Sequence, residues 1–383
     1  VSPLRIVILG AGFAGLELAT RLDGFAERGT ASVTLVDRAD SFGMGFGMQW
    51  AMMGRRSFTD GRRRYANRRA ANVDFIRDDV VSIDPDRKTV TTNGAGLDFD
   101  RLVIALGAEL TPEAIPGLAE SGYNLCDPTS VEKMTDRLQG IDSGTVLVAV
   151  CSLPFKCPPA PYEYAFLVDE LLRRRGVRQQ VEVVISTPEP HPLPVAVAEV
   201  GAQVLAILQD RGITYLPQHA PVGFEAGTVT YENGAEQSFA LLGAIPPHRA
   251  PGFLSQAGLT NTSGFVPVDL ATLATQAEGV FAVGDVAAIT LPNGKPHPKA
   301  GVFAEAQAGA VADLLTAELG GGEPSPYGGH GLCYIDVGNQ QAAAAAADLL
   351  HPSGPHIELS PPSAEGLAAK AEFERSHLDR WFL

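Results

Sequence analysis

The sequence predicts an α/β chain with two units of parallel sheet flanked by helices and a small C-terminal segment. Three observations predict it. An apolar strand pattern near the N-terminus runs straight into a glycine loop and a helix pattern. Strand and helix patterns then alternate along most of the chain. Two proline-marked crossings, TPEAIPGL at 111–118 and GAIPPHRAP at 243–251, interrupt that alternation. Parallel sheets with helical crossovers produce such an order. The 383 residues, 45% of them hydrophobic, are enough for more than one core.

The first element is RIVILGAGFAGLELATRL at 5–22. The apolar strand ends at Leu9 and Gly10-Ala11-Gly12-Phe13-Ala14-Gly15 follows. Gly10 allows a tight turn, Gly12 a close approach of backbone to a pyrophosphate, and Gly15 close packing of helix on strand. The helix then turns its positive dipole end toward the phosphates. The next strand pattern, 32–36, ends at Asp37, about 20 residues on, where a carboxylate takes the ribose hydroxyls of a dinucleotide. The unit is therefore Rossmann-like and dinucleotide-binding. The motif alone does not separate FAD from NAD.

Two later stretches make that choice. FDRLVIALGAE at 99–109 is an apolar strand ending in small residues, and GVFAVGDVAAI at 279–289 is a strand ending in Gly284-Asp285. With the glycine loop they resemble the two-dinucleotide-binding-domain flavoproteins of the disulfide-reductase superfamily. The resemblance implies FAD, with Gly284 and Asp285 at its ribityl and pyrophosphate part. Reductases of that superfamily carry a second glycine motif after a mid-chain strand. Here the matching strand, 144–150, runs into Cys151-Ser152-Leu153-Pro154-Phe155-Lys156-Cys157. No glycines allow close phosphate approach, and Pro154 removes a donor amide. No productive NAD(P)H binding is expected.

There are four cysteines, too few for a disulfide framework in so long a chain. Cys157 precedes Pro158, Pro159 and Pro161 and then a helix pattern, 164–174. Prolines are tolerated in a first helical turn, and a thiol at a helix start is expected to gain thiolate character. The alternative is a buried small apolar residue, which is the reading preferred for Cys151 at its strand end. Cys333 lies in HGLCYIDVG, 330–338, after the Gly/Pro-rich loop 320–329.

PFKCPPAPYE at 154–163, PHPKAGVFAE at 296–305 and GLCYIDVG narrow the resemblance to the sulfide:quinone oxidoreductase and flavocytochrome c sulfide dehydrogenase group, over nearly the whole chain. The glycine loop is common to very many proteins. The Cys-Pro and Gly-x-Cys segments with Pro-Lys-x-Gly between them are far more specific. The resemblance implies a redox disulfide of Cys157 and Cys333 at the flavin face. It also implies oxidation of sulfide and transfer of electrons through FAD to a quinone. Three alternatives stand beside this. One passes the electrons to a c-type cytochrome, another acts on a different small thiol or quinone, and the third is an electron-transfer flavoprotein whose cysteines are only structural. Cys126 matches a cysteine that in some members joins the flavin as a thioether; otherwise it is a surface loop thiol. The catalytic residues implied are Cys157, Cys333 and Glu163, the last as a base if the intervening turn brings it close. The cofactor-binding residues implied are Gly10, Gly12, Ala14, Gly15, Asp37, Arg38, Val80, Ala105, Gly107, Cys126, Gly284, Asp285, Lys299 and Gly301, and no metal is expected. Lys299 either stabilises the reduced flavin anion or is a surface lysine.

Other stretches carry weaker readings. FGMGFGMQWAMMGRR at 42–56 holds four methionines and either covers the flavin or packs around the second strand. Arg62, Arg63, Arg64, Arg68 and Arg69 repeat at helical spacing and read as a solvated helix face or as partners of the acidic surface; a docking patch is the other reading. AAAAAAD at 342–348 reads as a helix or packed turn. His191 is either a proton relay or exposed. Phe303, Tyr334 and Phe373 are expected to line an apolar acceptor slot. The expected division is 1–110 and 246–320 for the FAD domain, 111–245 for the second Rossmann-like domain, and 321–383 for a C-terminal segment with a redox cysteine.

A net charge of −15 disfavours nucleic acid and anionic lipid as partners. No apolar run approaches the length of a spanning helix, and the last stretch, 372–383, is short and mixed. The chain opens into a strand pattern at Ile6 without a leader-like segment or a first methionine. The compartment is left open between cytoplasm and periplasm, with peripheral membrane contact, and a homo-oligomer is left open too.

Overall fold

The hexapeptide LRIVIL forms strand β1, Leu4–Leu9, at the centre of a five-stranded parallel sheet. Ile6, Ile8 and Leu9 are fully buried there. A strand covered on both faces needs such an unbroken apolar run rather than an alternating one. The computed structural model of the chain describes residues 2–196 and 198–383. Helix α1, Phe13–Glu27, follows β1 and leads to β2, Ala31–Asp37, which pairs with β1 from Leu4↔Ala31 to Leu9↔Val36. Strands Asp74–Arg77 and Arg101–Ile104 extend the sheet on either side. The outermost strand beyond Arg101–Ile104 is Val280–Ala282, from far along the chain. Between β2 and Asp74–Arg77 lies the short helix α2, Gly47–Met52.

A second five-stranded parallel sheet is centred on β3, Gly144–Val150, flanked by Leu241–Ile245 and Val181–Ser186. Helix α3, Ala160–Arg174, crosses it, with residues from Pro161 to Leu172 buried. The outgoing and returning chain pair with each other through Glu109–Leu110 and His248–Arg249. Helix α4, Gly301–Glu318, then packs on α1. The chain closes with strands β4, His330–Gly338, and β5, Gln341–Asp348, a third strand His356–Leu359, and helix α5, Ala364–Trp381.

The alanine run is thus a strand, not a helix or turn. Asn339 and Gln340, both at positive φ, form a two-residue hairpin loop that pairs β5 antiparallel with β4. Helix α5 packs so closely on β5 that a Cβ on Gly366 would lie 2.0 Å from Ala342 O. Small side chains allow that approach, and this packing overrides the helix propensity of alanine. The arginine run is likewise not a helix face. Arg63–Arg64 pairs with Ser41–Phe42, and a single 3₁₀ turn follows at Tyr65–Asn67. Arg68 donates to Val73 O and Arg69 to Asp379 O. These bonds fasten irregular backbone, which accounts for arginines there without a helix. Trp381 and Phe382 are buried against Phe13 and Phe42.

No helix among the described residues is long and apolar enough to cross a membrane.

Candidate active site

The C-terminal ends of β1 and the strands beside it open toward the glycine loop. Gly10 sits at φ +98, and a Cβ there would lie 2.4 Å from Ala105 O. A Cβ on Gly15 would lie 1.8 Å from Gly10 O, so only glycine lets α1 seat on β1. At Gly12 a Cβ would meet nothing within 4 Å. Gly12 is also the N-cap of α1 and supplies no side-chain bond to the first amides. Open space in front of uncapped amides is what a pyrophosphate requires. Asp37, at the end of β2, accepts Ala11 N at 2.6 Å and Ala39 N at 2.8 Å. Ala14 is buried under the loop, Arg38 is exposed just past Asp37, and Val80 begins a separate antiparallel strand. Gly107, at φ +67, also faces open space.

Asp285 provides the second test of fit. Its Oδ1 is shielded from solvent and has no hydrogen-bond partner, and burial raises its pKa against the pull of Lys299 and Lys156. A carboxylate left unpaired at the edge of a cavity is a ready acceptor for a ligand hydroxyl. Gly284, beside it, gives its N–H to Gln307 Oε1 at 2.6 Å. Gly301 opens α4 so close to Phe13 that a Cβ would meet the ring at 2.7 Å. These residues fit a flavin dinucleotide.

The cavity that Asp285 faces has a volume of about 470 Å³. Three thiols line it, Cys126, Cys157 and Cys333, with the charged side chains of Lys156, Glu163, Lys299 and Lys370. Phe13, Met44, Phe46, Tyr334 and Phe373 supply apolar wall. All four cysteines are free thiols in this structure. Cys157 is open to the cavity and held at φ +57, an uncommon conformation for a side chain with a Cβ. Its N–H donates to Lys299 O at 2.7 Å, which ties the second unit to the start of α4.

The expected thiolate character of Cys157 is not met. Although the residue faces the cavity, the surrounding protein raises its pKa, and the Glu163 carboxylate and Cys333 add to that. A negative charge one turn into α3 opposes the helix field that the sequence reading relied on. Cys333 is pushed up to about 12 by burial and the same carboxylate. Cys126 is not a surface loop thiol. It is half-buried at the cavity wall, and burial raises its pKa. Cys151 is 4% exposed among apolar side chains of the second sheet, away from the cavity.

Lys299 is not a surface lysine either. Its Nζ donates to Asp285 O and Ala287 O and lies 3.8 Å over the Phe265 ring. Burial lowers its pKa to about 8. Glu163 is 1% exposed, with both oxygens engaged. Oε1 accepts Asp336 N at 2.8 Å and meets Lys370 Nζ, and Oε2 accepts Gln49 Nε2 at 3.1 Å. Lys370 and Gln49 were missed by sequence reasoning. The only signal for Lys370 was a lone lysine in the alanine-rich start of α5.

Three other expectations change. Phe303 does not line the cavity. It packs with Leu291 and Leu349 and lies edge-on to His297 at 4.9 Å. Its ring lies against Gly331 of β4, where a Cβ would meet it at 2.5 Å. His191 lies in the 188–194 loop, outside the cavity lining, with Nδ1 3.2 Å from Pro192 O. The methionine-rich stretch divides. Met44 and Met48 reach the cavity, while Met52 and Met53 join the core of the second unit. After β3 no glycine loop exists, and Tyr162 on α3 donates to the buried Glu189 at 2.8 Å near the end of the neighbouring strand.

Comparison with known proteins agrees with this geometry. Residues 4–151 match the family model of the pyridine nucleotide-disulphide oxidoreductases. Residues 131–192 match the central part of the sulfide dehydrogenase [flavocytochrome c] flavoprotein chain. Fold and site together define the class: the protein is an FAD-dependent oxidoreductase. Within that class the chain is similar to the sulfide:quinone oxidoreductases. It is 27% identical to the sulfide-quinone reductase of Aquifex aeolicus, over 91% of this chain and 84% of that one. To the mitochondrial sulfide:quinone oxidoreductase of Mus musculus it is 25% identical, over 90% of this chain and 78% of that one. The solved structure of the Aquifex aeolicus sulfide:quinone oxidoreductase shares the fold, with a TM-score of 0.86 at 24% identity over 97% of this chain and 90% of that one.

Proposed function

We propose that this protein oxidises hydrosulfide at a Cys157–Cys333 redox pair and passes the electrons through FAD to a quinone. The observation that supports it most is that Cys157, ahead of α3, and Cys333, in β4, both line the cavity that Asp285 and Lys299 also line. FAD would be held by Gly10, Gly12, Gly15, Asp37, Gly284 and Asp285, from chain parts 1–110 and 246–320. When bound it carries two electrons at a time between a thiol and an acceptor.

With the pair oxidised, hydrosulfide attacks one sulfur. The old S–S bond breaks, a persulfide forms, and the other sulfur leaves as thiolate. Over one turnover hydrosulfide loses two electrons and one proton to leave zero-valent sulfur. The quinone takes up two electrons and two protons. The Glu163 carboxylate and the apolar walls disfavour a standing thiolate, which favours the neutral disulfide and persulfide forms of the pair. Phe46, Tyr334 and Phe373 give the acceptor ring an apolar wall. The Lys299 ammonium neutralises negative charge arriving on that side.

The match of 131–192 to the flavocytochrome c flavoprotein chain supports a second reading, in which a c-type cytochrome takes the electrons one at a time. Anaerobic titration tests the proposal. Sulfide should bleach the flavin stoichiometrically, while NADH in rapid mixing should leave it oxidised, because 151–157 lacks a phosphate-binding loop. No bleaching by sulfide would sink the proposal. Turnover with decylubiquinone and with cytochrome c in parallel separates the two acceptors.

A further inference from the structure

The two thiols of the proposed pair belong to different elements. Cys157 lies just ahead of α3, and Cys333 lies within β4. Two carboxylates of α3 reach across to the backbone of that strand and of the hairpin loop that ends it. Glu163 Oε1 accepts Asp336 N at 2.8 Å, and Glu170 Oε2 accepts Asn339 N at 2.9 Å.

Glu163 and Glu170 are two helical turns apart on one face, about 10.5 Å along the axis. Asp336 lies within β4, and Asn339 lies just past its end in the hairpin loop, with a register shift between Asp336 and Gly338. Both carboxylates are held in place: Glu163 by Lys370 and Gln49, Glu170 by Arg174. Gly338, between the two contact points, leaves no slack, since a Cβ there would lie 2.9 Å from Glu170 Oε2. Asp336 fastens the same stretch, with its carboxylate on Gly338 N at 2.9 Å and against Arg55.

We propose that Glu163 and Glu170 are positioning residues, a two-point clamp that fixes the register of the Cys333 strand against the helix that follows Cys157. This rests on the reading of Cys157 and Cys333 as a redox pair. A slip of one residue would turn Cys333 to the other face of its strand, away from the cavity it shares with Cys157. In this role Glu163 needs an acceptor oxygen, not a negative charge. A general base needs the charge.

The test is crosslinking in the full-length, FAD-loaded protein. Thiols are first reduced, then treated with one equivalent of diamide, and the 157–333 disulfide is quantified by non-reducing peptide mass spectrometry. The two thiols give two electrons and two protons to the diazene, which becomes the hydrazine as one S–S bond forms. Glu163→Gln combined with Lys370→Met keeps the acceptor oxygen and removes both charges, so it should crosslink within about two-fold of the parent, whereas Glu163→Ala in the same Lys370→Met background, which removes the same charges and the acceptor as well, should be slower by about ten-fold or more. Glu170→Ala, outside the cavity, should be slowed as well, and it decides the matter if Glu163→Ala does not fold. Parent-like crosslinking in both alanine variants would overturn the clamp. So would a Gln/Met variant as slow as Glu163→Ala. A parent protein that forms no 157–333 crosslink would overturn the redox pair itself, and the clamp with it.

Discussion

Cys157→Ser should fold, retain FAD and stay yellow, yet lose sulfide-driven flavin reduction by about three orders of magnitude or more, the scale of removing a nucleophile. The exchange is nearly isosteric. Cys157 contributes only its backbone to the contact with Lys299 and Ala160, and serine reproduces both bonds. The glycine loop and Asp285 lie in other segments, so the cofactor-binding residues are untouched. A hydroxyl can form neither the disulfide nor the persulfide. Cys333→Ser should fail in the same way. Cys151→Ser should keep the reaction and lose stability by about 1 kcal/mol, since a polar atom replaces a thiol among apolar side chains. Stopped-flow bleaching at a fixed sulfide concentration measures all three. Loss of bleaching in Cys151→Ser with retention in Cys157→Ser would mean that the other thiol of the CSLPFKC loop carries the chemistry.

The parts of this molecule that could be read from sequence are those where local chemistry dictates local structure. The glycine loop is one. Gly10 and Gly15 are required by contacts with residues that are close in sequence or lie in the adjoining strand, and the strand–loop–helix order announces them. The Cys-Pro turn ahead of α3 is another. What could not be read depends on partners far away in the chain. The alanine run has the propensity of a helix and became a strand because β4 pairs with it and α5 covers it. The arginine run has helical spacing, but its guanidinium groups serve carbonyls at Val73 and Asp379. Phe303 has the composition of a cavity wall, but it packs with Leu291 and Leu349 and against Gly331 of β4. The raised thiol pKa of Cys157 comes first from burial and then from Glu163 and Cys333, none of which a spacing rule reveals. Lys370 shows the limit most clearly. Its buried pairing with Glu163 joins two helices separated by most of the second half of the chain.

Glu189 lies just past the end of strand Val181–Ser186 in the second sheet, and it should make the protein less stable as pH rises. The side chain is 3% exposed, and its partners are hydroxyls, Tyr162 at 2.8 Å and Thr187 at 3.5 Å. Burial raises its pKa from 4.5 to about 7, against the opposing effect of those two bonds. In the unfolded chain the group ionises near 4.5; in the folded protein it keeps its proton to about 7. Over that window the folded state binds more protons than the unfolded one, so stability falls with rising pH, by up to about 3 kcal/mol in total. Below the window the penalty is absent, and above it the penalty is constant. Glu189→Gln keeps an oxygen for the Tyr162 hydroxyl and has no charge to bury. Its advantage over the parent should therefore be near zero at pH 4 and should grow to as much as about 3 kcal/mol by pH 8. Urea denaturation of both proteins across that range measures the difference directly. A difference that does not change with pH would show that Glu189 ionises as freely in the folded protein as in the unfolded chain, and that its surroundings are open to water rather than filled.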